Sequence, residues 1–301
     1  MRSGEDKWTV EKMGDLAEKL YLVTGGNTGL GFETARRLLQ AGARVVITAR
    51  DAQRGQAALA RLREVGGDRV RLEELDLASL ESVASLTERV LSEETHIDAL
   101  VLNAGVALVP FGKTSDGFET HFAVNHLGHF ALTLPLSRIV SRVVVTSSGG
   151  ARDGAVPLPF EVLARREDDT TYDAMQVYCD SKLANLLFAR ALARRRPELE
   201  VVATHPGFTA TDLQRHSFRF RLFRLLFAQS VEAGALNNVR TAVDSSLRTL
   251  KATEWVGAGG RGEMKGPPAV LATVPPYAND IGAQDTLWRI SEQLTGICLP
   301  T

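Results

Sequence analysis

From residue 20 onward, short apolar runs alternate with longer stretches of helical period. Segments 20–24, 44–48, 70–75, 97–102, 142–147 and 200–204 are rich in Val, Leu and Ile and mostly apolar throughout. Strands buried on both faces carry that signature. Helical periodicity fills the intervals near 30–41, 51–65, 79–93, 117–139 and 174–196. This alternation predicts a parallel sheet with helices on both faces: an α/β, doubly wound, Rossmann-type fold. No internal repeat or linker divides the chain, so 1–301 reads as one domain. It comprises an N-terminal arm (1–19), an α/β core (20–205), a segment (206–230) beyond the last long strand and a C-terminal part (231–301).

Beyond 206 the pattern changes. Residues 216–228 interleave four phenylalanines with arginines. Two readings stay open: a substrate lid, or a basic amphipathic helix in weak contact with a membrane surface. The lid is favoured, because ligands of open α/β sheets sit beyond the carboxyl ends of the strands. Residues 231–250 and 285–294 are predicted helical. The glycine-rich stretch 257–268 is expected to be loop, because its glycines follow no strand.

Composition narrows the partners. A net charge of -1 gives no reason to expect nucleic acid. Cys179 and Cys298 are the only cysteines, so a disulfide framework is excluded and a reducing compartment is expected. No Cys/His spacing suggests a metal. His121, His126 and His129 are read as packing residues of one long helix. The charged first residues and the lack of a run near the ~20 apolar residues of a membrane span lead to an expectation of a cytoplasmic location.

Two motifs carry chemistry. Thr24-Gly25-Gly26-Asn27-Thr28-Gly29-Leu30-Gly31 follows the first strand and opens the first helix. Backbone N–H groups and the helix dipole hold a pyrophosphate at such a place, so Gly25, Asn27, Thr28, Gly29, Leu30 and Gly31 are predicted cofactor contacts. At the end of the second strand Arg50 precedes Asp51. Arg50 can take the extra phosphate of NADP, and Asp51 fits an N-cap, so NADP(H) is favoured over NAD(H). The alternative for Arg50 is an ordinary surface arginine. Farther on, Tyr178 and Lys182 stand four residues apart on one helical face. A nearby ammonium favours a phenolate, which makes Tyr178 a candidate acid/base.

Together these residues resemble the short-chain dehydrogenase/reductase family along nearly the whole chain. Further markers are Asp76-Leu77, Asn103-Ala104-Gly105, Asn125, Ser147-Ser148, His205-Pro206-Gly207 and Thr211. The stretches 121–130 and 178–185 are similar to the retinol-dehydrogenase-like branch, which includes WW-domain oxidoreductases. The resemblance implies NAD(P)-dependent hydride transfer between an apolar alcohol and its aldehyde or ketone. Tyr178 would exchange the proton, and Lys182 would lower its pKa and hold the nicotinamide ribose. Ser148 would bind the carbonyl oxygen, with adjacent Ser147 as its competitor. Asn125 would anchor a relay water. Asp76, Leu77, Asn103, Ala104, Gly105, Pro206, Gly207 and Thr211 would border the cofactor. The implied partner is a small hydrophobic carbonyl or alcohol, and a homo-oligomer stays open. C=C reduction, epimerisation or dehydration on the same fold, and a non-catalytic NADP-binding sensor, are the alternatives. The 29 residues 149–177 between Ser148 and Tyr178 are longer than in many relatives and predict an insertion at the pocket.

Overall fold

The apolar runs form strands of a single sheet. The computed structural model describes residues 8–167, 169–209, 228–251 and 253–300. Its strands are β1 (Leu20–Val23), β2 (Arg44–Ala49), β3 (Val70–Glu74), β4 (Ala99–Leu102), β5 (Arg142–Thr146), β6 (Glu200–Thr204), β7 (Trp255–Ala258) and β8 (Pro268–Leu271). Among the described residues they lie in the order β3-β2-β1-β4-β5-β6-β7-β8. All neighbours pair parallel except β7 with β8. The order reverses between β1 and β4, which opens a crevice at their carboxyl ends.

Alternation along each strand divides the core in two. Leu20, Leu22, Leu100, Leu102, Val143 and Val145 face one layer; Tyr21, Val23, Ala99, Val101 and Val144 face the other. Helices α1 (Gly29–Gln40) and α2 (Ala52–Gly66) pack on the second face. On the first lie α3 (Leu80–Glu93), α5 (Gly128–Leu136), α6 (Phe160–Arg165), α7 (Ala174–Arg195) and α9 (Ile281–Thr295), with α4 (Thr120–Phe122) leading into α5. Helix α8 (Val231–Val243) packs beside α1. The described part of the arm is tied down: Trp8 and Leu16 are buried, and Leu16 N donates to Ala41 O.

Three expectations need correction. Stretch 257–268 is not one loop following no strand; β7 and β8 take its two ends. Four residues with glycine third are too short and interrupted to register as a strand pattern. Gly257 is needed there because a Cβ would stand 2.1 Å from His205 Nε2. The helix expected over 117–139 is interrupted by a π turn, Ala123–Leu127. The one expected over 231–250 stops at Val243, where Asp244 caps a short 3-10 turn, Ser245–Thr249.

Candidate active site

The glycine loop joins β1 to α1. Gly25 holds φ at +65°, a backbone region that favours glycine. A Cβ on Gly31 would lie 2.3 Å from Gly25 O, so only glycine lets α1 start this close to the turn. Thr28, at the N-cap, makes no side-chain cap, whereas Asp51, Ser79 and Asp173 cap α2, α3 and α7. The first N–H groups of α1 are thus left for an anion. Gly25, Asn27, Thr28, Gly29 and Leu30 line a cleft with Arg50, Asp51, Asp76, Leu77, Asn103, Ala104 and Gly105. These residues fit a dinucleotide. Asp51 accepts from Arg54 N at 2.9 Å as the α2 cap, which leaves Arg50 exposed at the rim.

Leu30, Asn103, Gly105 and Val106 also line a second cavity, so the two adjoin. Ser148, Tyr178, Lys182, Pro206 and Gly207 face it, with Val106, Leu108, Met175 and Phe208 as an apolar lining. Asp173 starts α7 by accepting from Met175 N and Gln176 N, and the i, i+4 spacing sets Tyr178 and Lys182 on one side. The two serines separate. Ser147 is buried and its hydroxyl donates to Lys182 O at 2.8 Å. Ser148 caps the turn Gly149–Asp153 and lines the cavity together with Tyr178.

Burial pushes the Tyr178 phenol up, opposed by the Ser148 hydroxyl. The expected lowering by Lys182 does not govern here. Lys182 Nζ lies 5.9 Å from the Tyr178 ring centre and donates to Thr146 O at 3.2 Å. Burial brings its own pKa down to about 8. Cys179, next to Tyr178, is buried outside the cavity lining, and burial pushes its thiol up to about 12.

Asn125 sits in the π turn. Its Nδ2 donates to Val106 O at 3.0 Å and Ser181 Oγ at 2.9 Å, and its Oδ1 accepts from Val106 N at 2.8 Å. The side chain therefore fixes the strand end beside the reacting centre. In the π turn Gly128 N donates back to Ala123 O, and Asn125 O is met instead by His129 Nδ1 at 3.1 Å. A carbonyl only accepts, so Nδ1 carries the proton and Nε2 accepts from the Thr24 hydroxyl at 3.0 Å. That hydroxyl receives Asn103 N and Ala104 N. His129 thus ties the glycine loop to the π turn. His126 pairs with Ser291, and His121 with Glu119 and Tyr172.

Thr211 and 216–227 lie outside the described residues. The sequence reading missed Arg54, which lines the nucleotide cleft one helical turn after Arg50, and Met175 and Leu108 in the second cavity. Met175 stands three residues before Tyr178, a spacing that was available as a signal. No helix among the described residues is long and apolar enough to cross a membrane.

The family model for short chain dehydrogenases matches residues 19–159. Retinol dehydrogenase 12 of Homo sapiens is 37% identical over 293 residues, covering 94% of this chain and 88% of that protein. The WW domain-containing oxidoreductase of Drosophila melanogaster is 34% identical over 292 residues, covering 93% and 69%. A crystal structure of a Mycobacterium paratuberculosis protein matches with a TM-score of 0.79 and 33% identity, covering 98% of this chain and 100% of that one. Similarity that runs along almost the whole length of the chain places this protein in the short-chain dehydrogenase/reductase family, on its retinol-dehydrogenase-like branch, as an oxidoreductase of alcohol and carbonyl groups.

Proposed function

We propose that the protein interconverts an apolar alcohol and its aldehyde or ketone using NADP(H), with Tyr178 exchanging the proton. The observation that carries this reading is the convergence of Ser148, Tyr178 and Lys182 on an apolar cavity that opens into the dinucleotide cleft. The bound nicotinamide would supply or accept the hydride. Ser148 and Tyr178 would hold the substrate oxygen between two hydroxyls. A phenol raised by burial is protonated at neutral pH and suits the donor role in carbonyl reduction. The Lys182 ammonium would offset the charge left on the phenol. Leu108, Met175 and Phe208 would exclude water and select an apolar chain.

Arg50 supports the preference for NADP(H). It stands exposed at the cleft rim while Asp51 is engaged as a helix cap. Arg54 adds a second guanidinium to the same rim. The test is steady-state turnover with NADPH and with NADH over a panel of apolar aldehydes and ketones that includes retinaldehyde, given the relatives named for retinol. Tyr178-dependent reduction with NADPH is expected. Equal affinity for NADH would remove the argument from Arg50.

A further inference from the structure

The C-terminal loop between β7 and β8 has no part in the reading above, yet it reaches both sides of the reaction cavity. Glu263 sits there with φ at +55°, a left-handed conformation that costs a non-glycine residue energy. One of its carboxylate oxygens is doubly engaged in return. Arg152 Nη2 donates to Glu263 Oε2, and His205 Nε2 lies 3.1 Å from the same oxygen. Gly207 N donates to His205 Nδ1, so Nδ1 accepts and Nε2 carries the proton toward Glu263. Thr273 accepts from Arg152 Nη2 and from Trp255 Nε1. The Arg152 guanidinium lies 5.1 Å from the centre of the buried Trp255 ring.

Each partner leads to the cavity. Arg152 belongs to the turn Gly149–Asp153 that Ser148 caps. His205 begins the Pro206–Phe208 wall, and Phe208 N donates to the carbonyl of Met264, the residue after Glu263. One carboxylate therefore joins the turn that carries Ser148 to the opposite wall.

We infer that Glu263 is a positioning residue: through Arg152 and His205 it sets the Ser148 turn against the Pro206–Phe208 wall, and so fixes where the substrate oxygen sits relative to Tyr178. The inference rests on the proposed reductase reading for its effect on rate, but the clasp itself can be measured separately. Two variants serve. Glu263→Gln keeps the shape and removes the charge that Arg152 meets. Glu263→Gly removes the carboxylate while favouring the left-handed backbone, so loss of folding does not confound it. With NADPH and decanal, both are expected to lower kcat by about tenfold or more, the scale on which misplaced reacting groups lose rate. Glu263→Asp restores part of it. NADPH binding by fluorescence quenching stays unchanged. Amide hydrogen exchange at 150–153 and 207–208 becomes faster. Unchanged exchange in both variants overturns the clasp. Faster exchange with unaltered kcat and KM overturns the positioning role. If the wild-type protein shows no Tyr178-dependent turnover, the proposed function fails, and the clasp stands or falls on the exchange result.

Discussion

Lys182 Nζ donates to the backbone carbonyl of Thr146 at 3.2 Å, which anchors the ammonium at the end of β5. The cation is consequently buried and poorly solvated, and its pKa falls to about 8 from an ordinary 10.5. The Tyr178 phenol moves the opposite way, up, for the same reason. The site thus combines a neutral phenol with a cation that titrates just above neutrality.

This sets the pH profile. Below about 8 Lys182 is charged and Tyr178 protonated, the pair that the proposed carbonyl reduction would use. The kcat/KM for aldehyde reduction is expected to be flat near neutral pH and to fall as pH rises through about 8. A rate that stays level to pH 10 would contradict the assignment of Lys182.

The same burial costs stability. The folded state gives up the Lys182 proton near 8 and the unfolded chain near 10.5, so between those values the unfolded chain holds more protons. Stability from this group therefore rises with pH across that window; the penalty is full below it and gone above it. Lys182→Met should stabilise the protein by about 1–3 kcal/mol at pH 7 while abolishing turnover. Denaturant titration at pH 7 and pH 10 checks it: the gain over wild type should shrink at the higher pH.

His126 and His129 give the acid side of the curve. Burial pushes them down to about 3 and about 4. Both stay neutral in the fold but take protons in the unfolded chain below about 6.5, so stability falls as pH drops from there. Each contributes about 1.4 kcal/mol per pH unit within its window. His129→Leu leaves Asn125 O and the Thr24 hydroxyl without their shared partner, and should cost about 2–4 kcal/mol at pH 7. Chemical denaturation at pH 7, 6 and 5 measures both effects.

Cofactor choice is tested at the rim. Arg50→Ala should raise the Kd for NADPH about tenfold, the loss of one charge-assisted contact near 1.4 kcal/mol, and leave NADH unaffected. Arg54→Ala should weaken NADPH in the same direction. Fluorescence titration with each nucleotide gives the comparison.

Much of this was legible in the amino-acid sequence, for identifiable reasons. Strands β1, β2, β4, β5 and β6 lie inside the sheet, so their apolar runs are nearly continuous, and the glycine loop, Ser148, Tyr178 and Lys182 lie where strands end or on one helical face. β7 and β8 were not legible, because Gly257 interrupts a four-residue strand to make room for the His205 ring. The π turn at Asn125 was hidden because its cause is tertiary: the Val106 backbone, Ser181 and His129 take up the bonds of that turn. Glu263 carried no signal at all, since its partners Arg152 and His205 come from distant parts of the chain.

The proposed reduction depends on Tyr178 exchanging the proton with the substrate oxygen. The most direct measurement is single-turnover oxidation of bound NADPH by an apolar aldehyde, followed by absorbance in wild-type protein and in Tyr178→Phe. Both proteins are expected to bind NADPH alike, and the phenylalanine variant to lose about a hundredfold or more in rate, the scale of general acid catalysis. Equal rates in the two proteins would contradict it.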